Sequence, residues 1–117
     1  MLLPVFLWAG NLIQSETHNP ARQSEEAIRA EVLAETPLRT NRKQVQQYIS
    51  KRWGNEGMAF SEDDAETGKT RRGVYWQYGR YIDFRDPFHQ INVVVKWYFD
   101  DRDRLDDIAV AKRAGGA

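Results

Sequence analysis

Cysteine is absent from these 117 residues, which excludes disulfides, thiol catalysis, cysteine-based metal sites and lipid attachment through a cysteine of this sequence. Histidine is scarce. His18 and His89 are the two examples, and neither has a second histidine at ligand spacing. Net charge is missing as well: 17 lysines and arginines balance 17 aspartates and glutamates, so overall charge argues neither for wholesale nucleic-acid binding nor for an acidic substrate. No apolar run is long enough to span a bilayer; the longest, "MLLPVFLWAGNLIQ" at the start, falls well short.

That opening run resembles the hydrophobic part of a secretory signal, with Ala9 and Gly10 as small residues near its end, but the positively charged region that precedes such a segment is missing. It reads either as the remnant of an export signal or as an apolar strand or helix packed on the domain. The export reading is preferred and places the protein in the periplasm or outside the cell; a cytoplasmic location is the alternative.

What is present suits one domain with a single hydrophobic core. Residues 1–23 divide into the apolar start and a polar linker, Ser15 to Gln23. The domain proper is expected over 24–113, with 114–117 as a frayed tail. Ser24 is placed to cap a helix carrying Glu25 and Glu26 in its first turn, where the helix dipole favours them. Pro37 ends that helix. Asn41 with Gln44 three residues on fits a capping box, and Val45, Tyr48, Ile49 and Trp53 share one face of a second helix that stops at Gly54. Asn55 to Gly73, rich in charge, threonine and glycine, reads as a mobile surface connection tethered by Met58 and Phe60. From Val74 the period becomes two. Val74, Trp76, Tyr78, Arg80, Ile82 and Phe84 fall on one side of a single long strand, with Gly79 as a bend or bulge and Asp86-Pro87 as its close. Ile91, Val93, Val95, Trp97 and Phe99 mark the next strand, and Ile108 and Val110 the last.

Between those final strands lies "FDDRDRLDD", with five aspartates from Asp100 to Asp107. A calcium loop of the EF-hand type needs glycine at its sixth position and an acid at its twelfth. Counted from Asp101, those positions hold Asp106 and Lys112. A hairpin turn requires only polar residues that tolerate turn geometry, which "DDRDR" supplies, so the run is expected to turn the chain. Because Arg39 to Trp53 is basic and Asp100 to Asp107 acidic, a basic side and an acidic side are also expected.

At this point "LRTNRKQV" leading a short helix, an aromatic strand, and a strand ending "WYFDDRDRLDDIAV" together resemble the SmpA/OmlA (BamE-like) family of small outer-membrane proteins, which shares its fold with the repeat unit of beta-lactamase-inhibitor protein. The family pattern is Gly-x-Thr/Ser-x-x-x-Val on the helix, then aromatic-Asp-x-x-Gly-x-Leu opening the last strand. Asn41 takes the cap position before Val45, and Phe99, Asp100 and Leu105 take the turn positions. Arg39 stands where the family has glycine, Asp103 or Arg104 replaces the turn glycine, and the lipid-bearing cysteine is absent. The resemblance covers roughly Glu35 to Lys112. It implies an α+β fold, two short N-terminal helices packed on one face of a three- or four-stranded antiparallel meander, and work in the cell envelope as an assembly accessory or as an inhibitor of another protein.

Candidates for catalysis are thin. His89 near Asp86 is the nearest approach to an acid–base pair, and "ETGKT" (Glu66 to Thr70) echoes a phosphate loop without its glycine spacing. No catalytic residue, metal or cofactor is expected. A nucleic-acid surface has some support, since Lys69, Arg71, Arg72, Arg80 and Arg85 interleave with Tyr75, Trp76, Tyr78 and Tyr81 as in a platform for stacking single strands. The preferred reading is protein recognition. If the core parity holds, the opposite sheet face carries Tyr75, Gln77 and Tyr81 on one strand and Asn92, Lys96 and Tyr98 on the next; tyrosine gives contact area at low entropic cost, and amides adapt their hydrogen bonds. These six residues are the candidate partner-binding site of a non-enzymatic module whose partner is another protein.

Overall fold

A computed structural model describes residues 18–85 and 89–115; the readings of the apolar start and of Asp86-Pro87 lie outside them, and of the tail expected to fray over 114–117, Ala114 and Gly115 instead pair in the last strand. Both expected helix caps are in place. Ser24 Oγ accepts the Ala27 N–H at 3.0 Å and opens α1 (Glu25–Glu35), while Asn41 Oδ1 accepts the Gln44 N–H at 2.8 Å and opens α2 (Arg42–Trp53). Each cap satisfies one of the amide groups left unpaired at a helix start. At the far end of α2, Gly54 adopts φ 77° and its N–H reaches the Ser50 carbonyl, a left-handed stop.

Four antiparallel strands follow in sequence order: β1 (Met58–Asp63), β2 (Thr70–Ile82), β3 (Gln90–Phe99) and β4 (Leu105–Gly115). The fold is therefore α+β, with both helices N-terminal to a four-stranded meander. β1 lies in the stretch expected to be a mobile connection. It pairs with β2 from Met58↔Tyr75 to Asp63↔Thr70, and the joining turn is closed by the Asp64 N–H on the Lys69 carbonyl, with Gly68 left-handed at φ 70°. "ETGKT" is thus hairpin loop and strand start.

The core lies between the helices and one face of the sheet. Ile28 and Val32 of α1 and Val45 and Ile49 of α2 meet Val74, Val93, Val95, Trp97 and Ile108. Trp97 is fully buried; its indole N–H donates to Thr36 Oγ1 at 3.2 Å, and that hydroxyl donates to the Val32 carbonyl at 2.7 Å. Burying an aromatic ring with its polar group paired avoids the cost of an orphaned donor. Trp76 packs against the same core.

β2 is a single strand, and its register against β3 shifts between Gln77 and Gly79. Tyr78 is the extra residue, and beyond such a bulge the alternation of faces changes phase. This corrects the expected parity. Gly79 and Tyr81 turn towards the helix layer, whereas Ile82 and Phe84 are 42% and 62% exposed. A short 3-10 turn, Pro20–Arg22, docks over this stretch: a Cβ on Gly79 would stand 3.1 Å from that of Ala21, which is itself buried. The domain consequently begins before Ser24, and the segment read as linker ends in a docked turn.

The aspartate run is a hairpin turn. Asp103 donates its N–H to the Asp100 carbonyl, Asp100 donates to the Arg104 carbonyl, and Asp103 is left-handed at φ 56°, the arrangement of a three-residue loop with its last residue in the glycine region. Asp100 Oδ1 also accepts the Arg102 and Arg104 N–H groups at 2.8 and 3.0 Å, which holds its carboxyl below the usual range, the Arg104 amide being the chief cause. The expected separation of basic and acidic sides is not found at this junction. Arg39 and Thr40 bond to Leu105, and Arg42 donates to the Asp103 carbonyl at 2.8 Å, so the basic start of α2 sits directly on the acidic turn.

Candidate functional site

Because the helices cover the Trp97 side, alternate residues of all four strands form an open face. One row across the sheet runs Phe60, Gly73, Tyr98 and Asp107; the next runs Met58, Tyr75, Lys96 and Ala109. Gln77 and Asn92 lie further along, where Gln77 Nε2 donates to Asn92 Oδ1 at 3.2 Å. Five of the six residues expected to bind a partner therefore share this face: Tyr75, Gln77, Asn92, Lys96 and Tyr98. Tyr81 does not. The bulge at Tyr78 turns it to the helix side, where the Arg22 guanidinium and the Lys112 ammonium each stand 5.0 Å from its ring centre.

The face is not a plain layer of solvated tyrosines. Phe60 packs edge-on against Tyr75 at 6.0 Å and Tyr98 at 5.3 Å between ring centres. Gly73 makes this possible, since a Cβ there would lie 2.9 Å from the Phe60 ring. Tyr98 is left only 5% exposed. Above it lies the Arg71 guanidinium, 3.8 Å from the ring centre, close enough for a strong cation–π contact.

Around these rings the charges are paired. Tyr98 Oη donates to Glu62 Oε1 at 2.6 Å, and Lys96 Nζ donates to Glu62 Oε2 at 3.1 Å. The two donors, Tyr98 foremost, hold the Glu62 carboxyl below its usual range. Burial and then the Glu62 charge push the Tyr98 phenol up to about 12. Asp107 takes Arg71 at 3.6 Å on this face and Arg29, from α1, at 3.0 Å. Burial works to raise the Asp107 carboxyl, but Arg29 and the Ile108 amide outweigh it, and the group stays below the usual range. Beside this network is a shallow depression of about 330 Å³ lined by Phe60, Glu62, Tyr75, Val94, Lys96 and Arg113.

Such an arrangement can present aromatic edges, an amide pair and two cations, Lys96 and Arg113, to another molecule. Among the described residues no three histidine, aspartate or glutamate side chains converge as metal ligands, and no helix is long and apolar enough to cross a membrane. His18 and His89 are both exposed. The basic and aromatic residues considered as a stacking platform divide between surfaces: Tyr75 is on the open face, while Trp76, Tyr78 and Tyr81 pack towards the helices. Arg71 is stacked on Tyr98, and Arg85 is paired with Asp83 at 3.3 Å.

Sequence reasoning missed Phe60, Glu62, Arg71 and Asp107 as parts of this face. For the first two the signal was present but faint: Met58, Phe60 and Glu62 alternate with Ala59, Ser61 and Asp63, a period of two carried by only two large apolar residues. No protein-family model, no curated protein and no solved structure matches this chain.

Proposed function

We propose that this protein is a non-enzymatic protein-binding module of the cell envelope, an assembly accessory or an inhibitor of another protein, and that it binds through the open face of its sheet. The observation that carries the reading is the gathering of Tyr75, Gln77, Asn92 and Lys96 on the one broad sheet face that the helices leave uncovered. Tyr75 is 37% exposed and Met58 beside it 50% exposed, and exposed aromatic and sulfur-containing side chains flanked by amides and a cation are the composition of protein-recognition surfaces.

The resemblance to the SmpA/OmlA family supports the envelope setting, and the backbone supplies a point in its favour. Arg39 and Asp103 are the two non-glycine residues with positive φ among those described, at 78° and 56°; Arg39 stands where the family pattern carries glycine, and Asp103 is one of the two residues, with Arg104, read as replacing its turn glycine. Departures in residue type thus coincide with glycine-like backbone.

The test is capture of partners from host extract by the wild type and by a Tyr75→Ser/Asn92→Ala variant, with folding of both followed by circular dichroism. Loss of at least tenfold in retained partner, with the fold intact, is expected if the two side chains lie in a binding hot spot. Equal capture by the folded variant would overturn the assignment of the face. Retention of the wild type on single-stranded DNA, lost with added salt, would favour a nucleic-acid role instead.

A further inference from the structure

A sheet edge presents backbone N–H and C=O groups that another strand can complete, and proteins guard such edges with side chains or charge. Parts of this sheet's edges are capped by side chains. On β4, the Ile108 carbonyl accepts Arg29 Nε at 2.8 Å, and the Lys112 N–H donates to Glu25 Oε1 at 3.3 Å. Beyond the end of β1, the outer carbonyls of β2 are taken one after another: Tyr78 by Trp53 Nε1 at 3.2 Å, Arg80 by Asn19 Nδ2 at 2.8 Å and Ile82 by Arg22 Nη2 at 2.6 Å. Five side chains from the N-terminal turn and the helices cover these edges.

Among the described residues β1 has no such cap. It pairs with β2 on one side, and on the other it has neither a strand neighbour nor a side-chain cap among the described residues. Its faces are open too, since Met58, Ala59, Ser61 and Asp63 are exposed. The flanking chain is acidic: Glu56, Glu62, Asp63, Asp64 and Glu66 lie between Asn55 and Thr67 without one lysine or arginine.

We infer that β1 is a docking edge for an extended basic segment of a partner protein, which adds to the sheet as a fifth strand. Main-chain bonds to β1 supply the attachment, and alternate side chains supply the selectivity. Residues on one side of the incoming strand lie beside Met58, Phe60 and Glu62, the last already bonded to Lys96 and Tyr98, and favour apolar groups; those on the other lie beside Ala59, Ser61 and Asp63 and favour lysine or arginine. A second copy of the chain is the less suitable occupant. Antiparallel self-pairing centred on Phe60 sets Asp64 against Glu56 of the other copy, and centring on Ser61 sets Glu66 against Glu56, so like charges oppose in both registers. The acidic flank therefore discourages self-association while leaving the edge open to a basic strand. This edge adjoins the open sheet face and shares Met58 and Phe60 with it, but its attachment is main-chain pairing to β1, so the methylation and exchange readouts test the inference separately from that assignment.

The test uses the full chain and a short capped peptide alternating valine with lysine, in three forms: unmodified, and N-methylated at alternate residues in either phase. Backbone amide shifts and hydrogen exchange are followed by NMR. Strand addition predicts saturable shifts concentrated in Met58–Asp63, slowed exchange of its outward amides, and loss of binding for only one of the two methylated forms, because only one set of peptide N–H groups faces β1. Glu56→Lys combined with Asp63→Lys should weaken binding about tenfold, as should a rise in salt that screens exposed charges. Absence of saturable binding, equal affinity of the two methylated forms, or shifts centred away from β1 would each overturn the inference. Concentration-dependent dimerisation through β1 in the absence of peptide would overturn the choice of occupant.

Discussion

Arg39 and Asp103 hold left-handed backbone for the same purpose. Arg39 donates its N–H to the Leu105 carbonyl at 2.8 Å as the chain passes from α1 to α2, and Asp103 closes the β3–β4 loop whose carbonyl receives Arg42. The two bends are therefore the two halves of one junction. Left-handed backbone costs an ordinary L-residue on the order of 1 kcal/mol, whereas aspartate tolerates it better through local side-chain bonding. Arg39→Gly should accordingly raise stability by about 1 kcal/mol, less the entropy that glycine adds to the unfolded chain. Asp103→Gly should stay within about 0.5 kcal/mol of wild type, since relief of strain is offset by that entropy. Urea unfolding midpoints of the two variants check this, and a destabilised Arg39→Gly would show that the arginine side chain, rather than the backbone, governs the position. The turn that holds Asp103 was legible in the polar run "DDRDR", but its left-handed residue and the bend at Arg39 were not. Arginine at a left-handed position leaves no signal in composition or hydropathy.

At the level of elements, long periodic segments were legible and weakly populated ones were not. Both helices announced their caps, and β3 announced its buried face through Val93, Val95, Trp97 and Phe99. β1 was lost among acids and glycines because its stability comes from its ladder with β2 rather than from a buried face of its own. The bulge at Tyr78 was anticipated as an irregularity at Gly79, but its consequence, a change of phase that carries Tyr81 to the helix side, goes with a contact between distant parts of the chain, Ala21 lying over Gly79. Long-range contacts also separate the tyrosines of the open face. Tyr98, roofed by Phe60 and Arg71 and bonded to Glu62, belongs to the structure of the face; Tyr75 belongs to its surface. Tyr98→Ser should cost about 3 kcal/mol or more, by analogy with other buried aromatic truncations, and Trp97→Ala about 3–5 kcal/mol. Tyr75→Ser should cost under about 1 kcal/mol, the worth of one exposed edge-to-face contact. Equal losses for the two tyrosines in urea unfolding would contradict that division.

Across the whole molecule, the balanced charge of the sequence is resolved into particular pairs that tie its layers together. Asp107 links Arg29 of the helix layer to Arg71 on the far side of the sheet; Asp100 organises the turn on which α2 begins; Glu62 joins β1 to β3 through Tyr98 and Lys96. All three carboxyls are held below their ordinary values of 3.8 for aspartate and 4.5 for glutamate. A group with a depressed folded-state pKa releases its proton more readily in the folded chain than in the unfolded one, so the unfolded state binds more protons as the medium acidifies. The stabilisation from these pairs is therefore fully present above the unfolded values and is lost as pH falls through the depressed folded ones. Unfolding free energy should be nearly level from neutral pH down to about pH 5 and then decline steeply below about pH 4. Asp100→Asn should be less stable at neutral pH and should show a shallower acid decline, because the asparagine oxygen still accepts the turn amides but no longer distinguishes the two states by a proton. Urea unfolding at a series of pH values measures both the neutral offset and the acid slope. An unchanged slope in Asp100→Asn would assign the acid sensitivity to Glu62 and Asp107, which Glu62→Gln and Asp107→Asn would then reproduce separately. In that case the layers would be held against acid by the pairs that cross the sheet rather than by the turn beneath α2.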